Sequence, residues 1–448
     1  MISNGCYLML SFQTFKAMTV HKWSCLGDGR YSAQEIMTLI DAGDDHYMEA
    51  VRRMKQTDIL IIDEVSMFSQ VMFEKLERVM RHSRQSHCLF GGVQIVLVGD
   101  FLQLPPVKNS RYCDAGDFCF LSDVFPVHHI FLTEVMRQTD SQFINVVHSI
   151  AKGDVDEETL IYVKKLCRPL ICTEDTTRLF CVNILADMYN RDCLMGLPGE
   201  IYEFEAIDEG EERLLNSLTI QKTLWLKKNA KVMLLRNLSD RMVNGLHGTV
   251  LDIKEGEVVV RFQSLDMVTT LTRMNFAVYD PATKRNEAVR NQIPLKLCYA
   301  MTVHKAQGMT LNRVEVDCRQ IFQPGQLAVA MSRVKSPDHL RVVNFSKSAV
   351  ISQPTTVLDL FHKQWTPPEP DFSCCILRFQ TDSSSETPVL QHSDVTPTSQ
   401  SDFQCEFTQT EPFSEFDDEL LLSVDLDSFT SVKIMKMSLK FLFQLTFC

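Results

Sequence analysis

Two apolar runs set close together limit what this chain can fold into: Asp58 to Met67, DILIIDEVSM, and Gly91 to Val107, GGVQIVLVGDFLQLPPV. Each contains a short uninterrupted core of branched apolar residues, ILII and IVLV, as strands buried on both faces of a parallel sheet do. Between them Gln70 to Arg84 places Val71, Leu76 and Val79 at helical spacing. Strand, helix, strand in that order predicts a parallel βαβ unit. Each run turns polar at the end that becomes the carboxyl edge of the sheet, where α/β proteins bind ligands. That edge receives Asp63 and Glu64 from the first run and Asp100 and Gln103 from the second.

The residue types at this edge suggest a chemistry. In phosphoryl transfer one carboxylate can hold Mg2+ while its neighbour polarises the attacking water, roles that suit Asp63 and Glu64 respectively. A capped strand end would look the same in isolation. Gln103 tips the reading, because an amide at the end of the adjacent strand can sense a γ-phosphate. The pair of runs reads as the metal-and-water half of a nucleotide-hydrolysing site.

The rest of the chain supplies the setting. Ser32 to Glu35 is a capping box that opens a helix ending near Gly43, and a charged helix follows from about Asp45 to Gln56. After Leu132 the sequence predicts a helix from about Gln142 to Lys152, a strand at Arg178 to Val182 and a helix from Asn183. The texture changes near Lys231. KVMLLRN, NGLHGTVLDI and GEVVVRFQ alternate apolar and polar residues and are punctuated by glycines, as short antiparallel strands are. Residues 244–290 are expected to form a small β-barrel inserted into an α/β domain, whose texture resumes with PLKLCYAMTVHKAQG, VEVD and QLAVAMSRVKS.

Charge explains the end of the chain. The net charge is -12, and the 12 Asp and Glu between Phe379 and Val432, with no Lys or Arg among them, account for the whole excess. The remainder is close to neutral and can carry a local basic groove, so the acidic balance does not exclude a polyanion. After Pro367, Pro368 and Pro370 the tail is Ser/Thr-rich and acidic, a composition that predicts disorder. Within it Glu411 to Ser428 alternates acids with Phe and Leu, as a peptide for a protein partner would; the residues from Lys433 on read as an amphipathic helix or as a frame artefact. The 15 cysteines are scattered without zinc spacing, which predicts reduced thiols. Cys6 to Phe12 is far shorter than the ~20 residues of a membrane span and lacks the flanks of a signal peptide, so a soluble intracellular protein is expected.

With these residues in view, the chain resembles the Pif1-like DNA helicases. DILIIDEVSM and GGVQIVLVGDFLQLPPV look like helicase motifs II and III, with LERVMRHSRQ as the family's signature segment between them. LTEVMRQTD, VNGLHGTV, AMTVHKAQGMTL and QLAVAMSRVKSPDHLRV follow in the family's order, so the resemblance covers roughly Thr19 to Phe361. It implies an α/β fold of two RecA-like parallel-sheet domains with a small inserted SH3-like β subdomain and a disordered C-terminal tail. The corresponding boundaries are 1–130 for the first domain, 131–243 with 291–365 for the second, 244–290 for the insert and 366–448 for the tail. The implied activity is ATP-dependent 5' to 3' unwinding in replication, repair, recombination and telomere maintenance. ATP is then the substrate, Mg2+ the cofactor, and single-stranded DNA and DNA junctions the partners. The location is nuclear, with mitochondrial as the alternative, and the acidic tail 379–432 is offered to a protein partner.

Residue by residue, the resemblance makes Asp63 the Mg2+ ligand, Glu64 the catalytic base and Gln103 the γ-phosphate sensor. Arg137 and Arg333 would reach the γ-phosphate, and Gln307 with Gly308 would line the nucleotide site. MTVHK occurs twice, at Met18 to Lys22 and at Met301 to Lys305. Thr19, His21, Thr302, His304 and Lys305 are expected along the DNA path, with Trp23 as a base-stacking platform. The phosphate loop GxxxxGK[ST] occurs nowhere in the 448 residues. The sequence therefore reads as a truncated copy of an active helicase or as a catalytically impaired remnant that keeps DNA binding, and severely impaired ATPase activity is expected of it. A tail-driven interaction protein is the alternative from another class, and a RecD-type helicase the nearest alternative within the same one.

Overall fold

The computed structural model describes residues 18–126, 128–172, 176–239, 241–280 and 283–362, together with the backbone of 434–436. The expectations for the N-terminal apolar run and for the tail 379–432 lie outside the described residues.

The chain opens with three helices, α1 (Val20–Ser24), α2 (Ala33–Asp41) and α3 (Asp45–Lys55). The capping box forms as the sequence predicts: Glu35 N–H donates to the Ser32 hydroxyl (3.2 Å) and Ser32 N–H donates to the Glu35 carboxylate (2.7 Å). β1 (Ile59–Ile62), α4 (Gln70–Ser83) and β2 (Gln94–Leu97) then make the predicted βαβ unit, with Ile59 opposite Gln94 and Ile62 opposite Leu97 in a parallel pair. α4 presents Phe73, Leu76, Val79 and Met80 to the sheet, all fully buried, each contributing roughly 1.5–3 kcal/mol by leaving water. Among the described residues β2 pairs only with β1, and its four residues are half-buried where β1 is mostly buried. On the other side of β1, Ile434–Lys436 pairs antiparallel, so these three residues are a strand and not part of an amphipathic helix; the rest of the stretch from Lys433 lies outside the described residues.

The second parallel sheet is split in sequence. α5 (Ser141–Lys152) and α6 (Glu157–Lys165) lead to β3 (Thr176–Phe180) and α7 (Asn183–Gly196). Antiparallel strands follow: β4 (Tyr202–Glu205), β5 (Ile207–Gly210), β6 (Thr223–Leu226), β7 (Lys231–Leu234), β8 (His247–Lys254), β9 (Glu257–Phe262), β10 (Met267–Leu271), β11 (Met274–Asp280), β12 (Arg285–Gln292) and β13 (Leu295–Leu297). The chain then returns to β3 with β14 (Ala300–Thr302), α8 (Val303–Ala306), β15 (Arg313–Asp317), α9 (Gln326–Met331) and β16 (Leu340–Val343), giving the all-parallel order β14-β3-β15-β16.

The antiparallel region is longer than 244–290. β8, β9 and β10 share one sheet with β7 and β13, in the order β10-β9-β8-β7-β13, and β11 and β12 pair with β5. The reason is visible in the burial pattern. KVML at β7, read from the sequence as a strand, and TLWL at β6 both alternate buried and half-buried residues, the period of a one-sided strand, but TLWL is too short to stand out without its partner.

The β11–β12 hairpin reaches the first unit. The Tyr31 hydroxyl donates to the Asp280 carboxylate, Arg30 pairs with Glu287 (3.6 Å), Lys284 pairs with Asp44 (3.6 Å), and the Tyr279 ring lies 5.1 Å from that of His46. The hairpin is tied to β5 by a planar pair: Arg290, 4% exposed, donates to both Asp208 oxygens (2.8 and 2.7 Å) and to the Ile220 carbonyl (2.9 Å). Among the described residues no helix is long and apolar enough to cross a membrane. Removing one partner of a buried ion pair leaves the other charge uncompensated, so Arg290→Met should destabilise the hairpin by ~3 kcal/mol. Hydrogen exchange at Ala288 to Asn291 checks this; unchanged protection would refute it.

Candidate nucleotide site and nucleic-acid interface

The end of β1 is built tightly. Glu64 adopts a left-handed backbone (φ 56, ψ 40), and its N–H donates to the Asp63 carboxylate (2.9 Å). Val65 N–H then donates to the Val98 carbonyl (3.0 Å), tying the ends of β1 and β2 together. Gly99 permits this approach, because a Cβ there would sit 2.9 Å from the Val65 nitrogen. In the following turn Asp100 accepts from Leu102 N–H (3.0 Å) and from the Gln103 side-chain amide (3.3 Å). The Gln103 Oε1 atom is buried with no hydrogen-bond partner among the described residues.

The second sheet completes the constellation. Gln307, 4% exposed, follows α8 and donates its amide to the Glu64 carboxylate at 2.8 Å, while its own Oε1 is buried and unpartnered among the described residues. Gly308 follows in a left-handed turn (φ +74); a Cβ there would come within 2.9 Å of Glu64 Oε1. Gly325, at the start of α9, packs so closely on the turn of the first unit that a Cβ would lie 2.5 Å from the Gln103 carbonyl.

Two arginines, Arg137 and Arg333, lie close enough to Glu64 to feel its charge without pairing with it. Arg137 donates to the Thr310 hydroxyl (3.2 Å) and the Ser332 carbonyl (3.1 Å). Arg333, 2% exposed, donates to the Val329 carbonyl (2.8 Å) and the Ser332 hydroxyl (2.7 Å). Burial pushes the Arg333 guanidinium down to about 10, and the Arg137 charge pushes the same way, against the pull of Glu64. Arg137 is lowered too, by burial first, with Glu64 opposing. Neither forms an ion pair among the described residues, so their charge is available to an anion.

The sequence-predicted nucleotide residues therefore fall together: Glu64, Gln307, Gly308, Arg137 and Arg333 by direct contact or charge, with Asp63 and Gln103 on the adjoining loops. Sequence reasoning missed Ser332, which holds both arginines, and Gln138, which donates to the Ser332 and Val334 carbonyls (3.0 and 2.8 Å). Ser332 is adjacent to Arg333, and Gln138 to Arg137, and that adjacency was the available signal. Among the described residues no cluster of three His, Cys, Asp or Glu side chains could hold a metal by itself.

The repeated pentapeptide adopts one conformation twice. Thr19 (φ -68, ψ 148) precedes α1 and Thr302 (φ -78, ψ 154) precedes α8, each as the last extended residue before a short helix. Thr19 accepts from Lys22 N–H (3.3 Å), and Thr302 is buried. His21 lies edge-on to Phe68, and His304 stacks on Phe322 with its Nε2 3.2 Å from Gln323 Oε1. Lys305 is half-buried. Trp23 corrects the sequence reading: it is 5% exposed inside the first core, where its ring packs and cannot offer a face to a base. The helix that carries it turns the residue inward, which the local sequence does not reveal.

Burial pushes both His21 and His304 down to about 4. Each stays neutral in the fold while the unfolded chain takes up protons below about pH 6.5, so stability should fall as pH drops from there towards 4. Urea midpoints at pH 7 and pH 5 check this: His21→Asn with His304→Asn should lose less stability across that interval than the parent chain, and an equal loss would refute it.

The family described as PIF1-like helicase matches residues 39–160. The ATP-dependent DNA helicase RRM3 of Saccharomyces cerevisiae is 30% identical over 423 residues, covering 76% of this chain and 58% of that protein. The ATP-dependent DNA helicase Pif1 of Bdellovibrio bacteriovorus is 32% identical over 321 residues, covering 70% of this chain and 72% of that protein. In structure the chain is similar to the Candida albicans Pif1 helicase (TM-score 0.70, 29% identity, 77% of this chain and 84% of the other). It is also similar to Bacteroides Pif1 bound to ssDNA (TM-score 0.63, 27% identity, 70% and 77%). The chain spans little more than half the length of the first eukaryotic relatives it matches, 58% and 56% for the two fungal helicases.

Proposed function

This chain belongs to the PIF1-like helicase family, and we propose that its two sheets form the ATP-hydrolysing and DNA-tracking body of a 5' to 3' DNA helicase that serves nuclear DNA maintenance. The observation that carries the reading is that Ser332 holds two arginines, Arg137 and Arg333, within reach of the charge of a Glu64 carboxylate that Gln307 holds across the seam between the sheets. Phosphoryl transfer spreads negative charge over the γ-phosphate oxygens, and planar, permanently charged guanidinium groups match that charge.

In this reading Glu64 orients the attacking water and accepts its proton. Gln103 and Gln307, each with a buried carbonyl oxygen left unpartnered among the described residues, position the water and the terminal phosphate. Asp63 would hold Mg2+ with the phosphates, and the ion would neutralise their charge. Arg137 and Arg333 bind the phosphate oxygens, and the Thr310, Ser332 and Val329 oxygens that accept from them fix both guanidinium groups in place. Burial excludes bulk water and strengthens each of these interactions.

The second reading is a single-strand-binding protein that turns over ATP poorly. It is favoured by the absence of GxxxxGK[ST] from the 448 residues, since such a loop gives an ATPase its N–H cradle, its phosphate lysine and one Mg2+ ligand. A protein of this sequence alone is expected to hydrolyse ATP slowly with or without single-stranded DNA, at a rate that Glu64→Gln leaves unchanged. Fast turnover that Glu64→Gln abolishes would refute that expectation.

DNA binding is separable from hydrolysis. Thr19, His21, Thr302, His304 and Lys305 are proposed to follow the strand, with Lys305 neutralising a phosphate and the neutral histidines donating hydrogen bonds to phosphate or sugar. His304→Ala with Lys305→Ala should weaken binding of a single strand about tenfold and lower its log–log salt slope by about one. Anisotropy titrations across salt concentrations measure both, and an unchanged slope would remove Lys305 from the path.

A further inference from the structure

A groove of ≈ 660 Å3 lies on the first unit, between α2, α3 and the C-terminal half of α4, and shares no residue with the nucleotide site. Its floor is apolar, with Met37 and Ile40 from α2 and Met48 and Val51 from α3. Met48 is 44% exposed there. Its rim is cationic, with Lys55 at the end of α3 and Arg78 and Arg81 on α4. The one carboxylate in the lining, Asp41, is bonded to His82 (2.8 Å), and Arg81 is engaged by Glu77 (2.6 Å). Lys55 and Arg78 are exposed and form no ion pair among the described residues.

We propose that this groove docks an acidic amphipathic helix of a partner protein, with the helix's apolar ridge on Met37, Ile40, Met48 and Val51 and its carboxylates on Lys55 and Arg78. An apolar trough with a rim of one charge is the complement of such a helix, which anchors through residues at i, i+3, i+4 and i+7. Charge complementarity selects an acidic helix over a neutral one and speeds its encounter. Nucleic acid fits the lining less well: no Phe, Tyr or Trp offers a stacking face, and an apolar floor gains nothing from a phosphate backbone. The inference does not depend on the helicase reading.

The test uses the full 448-residue chain and a labelled synthetic peptide of about 18 residues, with Leu and Phe at the ridge positions and Glu elsewhere. Anisotropy should show saturable binding. Lys55→Glu with Arg78→Glu should weaken it about tenfold, and Met48→Asp on the exposed floor should do the same, with the circular dichroism spectrum unchanged. Absence of saturation, or equal binding of a scrambled peptide of the same composition, would overturn the proposal. Displacement of the peptide by single-stranded DNA would reassign the groove to nucleic acid. Self-association of the chain abolished by Met48→Asp would assign it to a second copy. Peptide binding that strengthens in a full-length variant with the acids of 411–427 replaced by their amides would assign it to the chain's own acidic stretch.

Discussion

The hydrogen bond from the Gln307 amide to the Glu64 carboxylate is where the two parallel sheets meet, and much of the site depends on it. Donation to a charged carboxylate contributes roughly 1.5–3 kcal/mol, more than a neutral bond, because the partners are sheltered from water. It forms only because the surrounding backbone permits the approach. Gly99 lets the ends of β1 and β2 close on Val65, Gly308 leaves room for Glu64 Oε1, and Gly325 lets α9 sit on the Gln103 turn. A side chain at Gly99 would part β1 from β2, and one at Gly308 or Gly325 would press against the first sheet where the reacting groups lie. Gln353 seals the same seam, donating to the Leu102 carbonyl (2.8 Å) and the Ala151 carbonyl (2.7 Å).

Across that seam the electrostatics are unbalanced on purpose of geometry alone. One guanidinium group, Arg333, is taken out of water and another, Arg137, partly so, near one carboxylate; burial weakens the hold of both on their protons, and the Arg137 charge weakens that of Arg333 further. Keeping them there costs free energy, which the Ser332, Val329 and Thr310 oxygens partly offset through directed hydrogen bonds. A polyanionic phosphate entering such a place gains more than it would from solvated arginines, since the desolvation has already occurred during folding.

Local rules made part of this structure readable from the chain. ILII and IVLV are short, apolar and bounded by polar residues, so strand type, parallel pairing and the edge that receives Asp63, Glu64 and Gln103 all follow from one pattern. The capping box at Ser32 likewise depends on residues three apart. Features set by partners distant in sequence were not readable. Trp23 is buried by α3 and the first core, β6 is a strand because β4 pairs with it, and Ser332 matters because Arg137, far away in sequence, donates to it. Arg137 and Arg333 were found through an ordered set of family motifs and not through physics, because an isolated arginine carries no local mark of its partner.

The contacts joining the first unit to the rest of the fold are of two physical kinds. At the nucleotide seam they are directional and dependent on absent side chains at two glycines, Gly308 and Gly325, so they tolerate little displacement before they fail. At the β11–β12 hairpin they are mainly ion pairs with at least one exposed partner, Arg30 with Glu287 and Lys284 with Asp44, around one hydroxyl–carboxylate bond at Tyr31. Exposed pairs of that sort contribute about 0–1 kcal/mol each and weaken with salt. The hairpin itself is anchored far more firmly to β5, through the nearly buried Arg290–Asp208 fork. If the units separate, the hairpin should therefore leave with the second sheet and its surface pairs should yield first, because the weaker set of bonds faces the first unit.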